Sequence, residues 1–115
     1  MREEPSLSEE ILGELRELLA DNFDELIDRY ITDTQSRFNL LQQAVIEMDF
    51  KAINYEAHGI KGSSRNMGAN PLANILDKLE LLGREHNAHN VADLLEEAKT
   101  EYQRVVNGLA HYRTA

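Results

Sequence analysis

The sequence contains no cysteine, which excludes disulfide frameworks, thiol nucleophiles and cysteine-ligated zinc, and leaves histidine, carboxylates and hydroxyls to carry any chemistry. That absence agrees with a reducing compartment. Proline occurs only at positions 5 and 71 and there is no long Gly/Ser linker, so little interrupts a helical pattern. No stretch approaches the roughly 20 apolar residues that span a bilayer. The opening MREEPSLSEE has neither the basic start nor the apolar run of a secretory signal. The expectation is a soluble, cytoplasmic protein. Basic residues are also scarce: 12 against 21 acidic ones give a net charge of -9, which repels nucleic acid and anionic membranes as partners. The same charge disfavours a phosphorylated ligand, so any local cluster of cations is informative.

What is present is apolar periodicity. The 115 residues suit one hydrophobic core, hence one domain over 1–115, with 42% hydrophobic and 29% charged residues in the globular range. Ser6 and Glu9 form a candidate capping box opening a first helix with Ile11, Leu12, Leu15, Leu18 and Leu19 inward, ending near Asp21 or Asn22. A longer helix places Phe23, Ile27, Tyr30, Thr34, Phe38, Leu41 and Val45 on one stripe and stops near Met48 and Asp49. Asp49 can cap a third helix carrying Ile53, Ala57, Ile60, Ser64 and Met67, closed by Gly68 in the left-handed conformation. Asn70 as cap and Pro71 as first helical residue start a fourth, with Leu72, Ile75, Leu76, Leu79 and Leu82 inward. Asn87 or Asn90 caps a fifth, with Val91, Leu94, Leu95, Ala98, Tyr102, Val105, Leu109 and Tyr112. Short connections make neighbours antiparallel. The expected fold is all-α, an antiparallel up-and-down four-helix bundle with an additional short N-terminal helix packed across one end.

The third helix does more than pack. At about 100° per residue, His58 projects roughly 140° from the centre of the core stripe and is expected to face solvent. Lys51, Asn54, Lys61, Gly62 and Arg65 share its face at spacings of three, four and seven. A neutral imidazole is a nucleophile, and a phosphorylated one gains negative charge that Lys61 can offset. Gly62 costs a mid-helix position about 1 kcal/mol relative to alanine, so it needs a reason, either access for a partner or tight packing. Ser63 and Ser64 are small enough to let a neighbouring helix come close.

The run from His58 to Ala69, HGIKGSSRNMGA, resembles the signature of histidine phosphotransfer domains, in which His-x-x-Lys-Gly-Ser/Ala-Ser/Ala is followed by Gly-Ala. The resemblance extends through the helical layout over nearly the whole chain. It implies a phosphorelay intermediate in which His58 accepts a phosphoryl group, Lys61 steadies it and Gly62 keeps access open. By family position, Glu80 on the next helix orients the ring from Nδ1, with Arg84 one turn further; a mere Glu80–Arg84 surface ion pair is the alternative. The implied partners are receiver domains of response regulators and hybrid sensor kinases. These supply Mg²⁺, so no cofactor or metal is expected on this chain, which is expected to act as a monomeric carrier. A sensor kinase would need an ATP-binding domain for which one bundle leaves no space.

Two other readings stand beside this one. A non-catalytic helical adaptor would keep the bundle without the chemistry. A metal-binding bundle could draw on His58, His86, His89 and His111 together with the many carboxylates, although no histidine here has a glutamate three residues before it, as di-iron bundles use.

Overall fold

A computed structural model describes residues 4–113. Five α-helices follow one another: α1 (Glu9–Leu19), α2 (Phe23–Glu47), α3 (Phe50–Asn66), α4 (Asn70–Arg84) and α5 (Val91–Ala110), with a single 3-10 turn over Ala20–Asn22 joining the first two. No strand occurs among the described residues. α2 packs on α3 and α5, and α4 packs on the same two, so the four long helices close into a ring. The links between successive members of the ring are short and return the chain antiparallel, giving the expected up-and-down bundle.

Local chemistry sets most boundaries. Met48 turns left-handed at φ 50°, and Asp49 N–H reaches back to the Ala44 carbonyl at 2.9 Å, which ends α2 in a reversed-turn cap. The same Asp49 then caps α3, its carboxylate accepting from Ala52 N–H at 3.1 Å. Gly68 adopts φ 76° as its position demands, and a Cβ there would also press on Ser8 and Ile11 of the N-terminal segment. Ser8 N–H donates to the Gly68 carbonyl at 2.9 Å, Leu7 packs beside Gly108, and Arg16 lies over the rings of Phe23 and Tyr112. α1 therefore lies across the end of the bundle where α2 begins and α5 finishes.

Some details differ from the sequence expectation. The cap of α1 is Ser8, whose Oγ accepts from Ile11 N–H at 3.2 Å, so the Ser6–Glu9 capping box does not form. Leu18 is 79% exposed, because a helix lying across a bundle end has only a narrow face covered, and Leu12 takes it. α4 is capped by Ala69 through its backbone, whose carbonyl accepts from Ala73 N–H at 3.0 Å; Asn70 is already helical and Pro71 is the second helical residue. Pro71 still sits in the first turn, where a missing N–H costs nothing. Asn90 precedes α5 in the left-handed region without a side-chain cap, while Asn87 accepts from His89 N–H within the turn.

The core is lined by Leu12, Phe23, Ile27, Leu41, Ile53, Ile60, Leu72, Leu76, Leu79, Val105 and Leu109, all fully buried. It also holds a polar layer. Tyr30 and Ser64 hydroxyls share a buried hydrogen bond of 2.7 Å, and Tyr102 donates to the Ile31 carbonyl at 3.1 Å. Burial pushes the Tyr102 phenol up to about 12. Ser64 thus bonds across the α2–α3 interface as well as being small, whereas Ser63 bonds back to the carbonyls of Gly59 and Ile60 on its own helix. No helix among the described residues is long and apolar enough to cross a membrane.

Candidate functional site

α3 and α4 share the most extensive helix–helix contact among the described residues. Gly83 makes this approach possible: a Cβ there would lie 2.7 Å from Asn54 N and 2.9 Å from Phe50 O on the α3 backbone. One turn before Gly83 along α4 is Glu80, and the tight approach brings its carboxylate under the middle of α3. Asn54 fixes the register, donating from Nδ2 to the Glu80 backbone carbonyl at 2.9 Å.

His58 stands above this junction with its side chain 68% exposed, as the helical wheel anticipates. Its Nδ1 lies 2.9 Å from Glu80 Oε2. The Glu80 side chain is only 8% exposed, so a buried carboxylate holds the inner edge of an otherwise solvent-facing ring. Lys61 Nζ lies 2.5 Å from the other carboxylate oxygen, Oε1, and 3.1 Å from Asp77 Oδ1 one turn earlier on α4. Arg84 Nη2 approaches Glu80 Oε2 at 3.4 Å, so the ring contact and the Glu80–Arg84 pair coexist on one oxygen. Burial alone would raise the Glu80 carboxyl above its ordinary value, but hydrogen bonds and charge from Lys61 and His58 outweigh it and hold the group below that value. Glu80, and then Asp77, hold the Lys61 ammonium above its usual range.

A carboxylate under Nδ1 has a definite chemical consequence. With the ring neutral, the only arrangement in which this contact is a hydrogen bond has Nδ1 protonated and donating to Glu80, which leaves the Nε2 lone pair outermost. The site therefore presents a solvent-facing nitrogen nucleophile on a ring gripped from behind.

The remaining residues of the predicted face divide. Gly62 is exposed, and a Cβ there would meet nothing within 4 Å, so tight packing is not its reason. Lys51 and Arg65 are exposed, Arg65 reaching Asn74 of α4 at 3.4 Å. Asn54 is half-buried, its amide engaged by α4 rather than turned outward. Three neighbours were not singled out from sequence. Asp77 is one. The others are Arg37 and Tyr55 on the α2 flank: the Arg37 guanidinium pairs with Glu56 at 3.0 Å, lies over the exposed Tyr55 ring, and occupies the space beside Gly59 that a Cβ would need. A glycine next to the histidine was the available signal for Arg37, and the i, i+3, i+7 spacing of Asp77, Glu80 and Arg84 was the signal for an ionic stripe on α4.

The other histidines lie apart from this site. His86 stacks on Phe50 with ring centroids 5.3 Å apart, His89 lies in the turn before α5, and His111 follows α5. Among the described residues, no three His, Cys, Asp or Glu side chains gather as a metal ion would require.

Comparison with known proteins agrees with this geometry. The crystal structure of histidine-containing phosphotransfer protein B from Pseudomonas aeruginosa PAO1 superimposes with a TM-score of 0.91 at 29% sequence identity, covering 95% of each chain. No curated protein matches the sequence. The family model of the Hpt domain matches residues 25–108, from the first turn of α2 to the last turn of α5. An exposed histidine in the signature run, backed by a buried acceptor from the adjoining helix, is thus found within a matching sequence pattern and a matching fold, and the chain belongs to the histidine phosphotransfer (Hpt) domain family.

Proposed function

We propose that His58 is the phosphoryl-accepting residue of this phosphorelay intermediate, taking the group on Nε2 from the phosphoaspartate of one receiver domain and passing it to the aspartate of another. The observation that carries the proposal is the 2.9 Å contact between Nδ1 and the buried Glu80 carboxylate, which leaves Nε2 as the free nucleophile. In the first step the Nε2 lone pair attacks phosphorus in line, the acyl-phosphate P–O bond breaks with its electrons remaining on the aspartate, and an N–P bond forms. The ring keeps its Nδ1 proton and becomes cationic, and Glu80 is placed to stabilise that charge. The second step reverses these events on a new aspartate.

Such transfers need positioning and charge stabilisation more than protein-based covalent chemistry. In this reading the divalent metal is held by the receiver's acidic pocket and none is required here. Lys61, paired with Glu80 beside the ring, supplies a cation for the transferred group, and Gly62, whose presence the packing does not explain, leaves room for the partner's loops. Arg84 contributes through Glu80. Lys51, Arg65 and the Asn54 side of α3 border the surface that the receiver covers. The chain acts as a carrier with no kinase activity of its own, in the cytoplasm and as a monomer, a state that its net charge of -9 favours through mutual repulsion of copies.

The test is to incubate the protein with a phosphorylated receiver domain. Label should reach the wild type, survive base, be lost in acid and be absent from His58→Gln. A plain adaptor would bind the receiver and remain unlabelled across a broad panel of receivers.

A further inference from the structure

Lys61 is expected to steady a phosphoryl group on Nε2, yet in the resting protein its ammonium is engaged elsewhere. Nζ lies between two α4 carboxylates, at 2.5 Å from Glu80 and 3.1 Å from Asp77. Glu80 uses its other oxygen to hold Nδ1, so the ammonium is drawn to the inner edge of the ring, whereas a group on Nε2 projects from the outer edge. For Lys61 to reach that group, at least one acid has to release it.

The two acids differ in how readily they can do so. The Glu80 side chain is 8% exposed and remains tied to His58 and Arg84; stripping a buried carboxylate of its cation is costly. The Asp77 side chain is 60% exposed, and water can replace Lys61 there with little loss. Asp77 is also an anion close to where a second anion arrives. It therefore opposes the phosphorylated state twice, by occupying Lys61 and by like-charge repulsion.

We propose that Asp77 is a positioning residue that holds Lys61 away from Nε2 in the unphosphorylated protein and competes with the phosphoryl group for it, setting how readily the carrier gives the group up. This rests on His58 being the acceptor. The device suits a relay, which must bind the group without trapping it. Because an exposed pair is worth at most about fivefold in an equilibrium constant, the competition is a fine adjustment rather than a block.

The experiment is an equilibrium one. Wild type, Asp77→Asn, Lys61→Ala and the double variant are each equilibrated with a phosphorylated receiver domain, and the phosphoryl distribution is measured. Asp77→Asn should raise the equilibrium constant for phosphohistidine about three- to fivefold, and most of that gain should vanish when Lys61 is alanine. As an independent readout, the Lys61 Nζ resonance should move on phosphorylation of the wild type and move less in Asp77→Asn, where the ionic contact with residue 77 is already gone while that with Glu80 remains. If the wild type accepts label but Asp77→Asn does not shift the equilibrium, or shifts it equally without Lys61, the competition is disproved while the His58 assignment stands. If the wild type accepts no label, both fall.

Discussion

The Glu80 carboxylate reaches across from α4 to Nδ1 of His58 at 2.9 Å, joining the most buried acid of the site to its most exposed ring. Gly83 and Asn54 make this possible, one by letting the helix backbones approach and the other by fixing their register.

Replacing Glu80 separates acceptor from charge. A hydrogen bond to a charged group is worth about 1.5–3 kcal/mol, so Glu80→Ala should slow transfer by roughly ten- to a hundredfold if that bond is fully expressed in the transition state. Glu80→Gln can still accept from Nδ1 through its amide oxygen and should lose less. Single-turnover transfer from a phosphorylated receiver measures both; equal rates for the two variants would show that the acceptor is unimportant.

Acid stability tests the electrostatics of the same residue. In the folded protein Glu80 sits below its ordinary value of 4.5, because its contacts with Lys61 and His58 outweigh burial. Its contribution is therefore fully present above 4.5 and lost as the pH falls from there through the folded-state value. Urea unfolding at a series of pH values should show wild type losing more stability than Glu80→Gln below about pH 5. Parallel acid limbs would contradict this.

Two glycines should respond oppositely. Gly83→Ala would force the α3 and α4 backbones apart, costing about 1–3 kcal/mol and displacing Glu80 from the ring, with transfer reduced in step. Gly62→Ala meets nothing and should stabilise the helix by up to about 1 kcal/mol, whereas Gly62→Gln should keep the fold and hinder transfer. Thermal unfolding and transfer rates, measured on all three, separate packing from access.

Much of this fold was legible because its signals are local. Asp49, Gly68 and the alternating three- and four-residue apolar spacings each act within a turn or two, and they place α2 and α3 to within a residue. His58 was legible in the same way, since exposure follows from its angle to the core stripe. The Ser8 cap was less so, because its choice over Ser6 depends on the backbone contact with Gly68, distant in sequence. The burial of Glu80 and the capture of Lys61 by Asp77 depend on the rotation of α4 against α3, which apolar periodicity does not specify to within one side chain. Family position pointed to Glu80; nothing in the signature run pointed to Asp77.

The buried Tyr30–Ser64 pair is a further case of contact hidden from periodicity. Ser64→Ala removes the Ser64 partner of the buried Tyr30 hydroxyl, leaving it Thr34, and should cost about 0.5–1.5 kcal/mol in chemical unfolding. Tyr30→Phe in the Ser64→Ala background should recover part of that loss, because a buried hydroxyl that has lost one of its partners is removed. Strict additivity of the two changes would mean that the hydroxyls do not interact.

The proposed relay chemistry depends on His58 reacting at Nε2 while Glu80 holds the proton on Nδ1. Long-range ¹H–¹⁵N spectra of the imidazole, before and after phosphorylation by a receiver domain, test it directly. The expected spectra show a ring protonated at Nδ1 beforehand and a phosphoryl group on Nε2 of His58 afterwards. Phosphorylation at Nδ1, or on another residue with His58 unchanged, would contradict it.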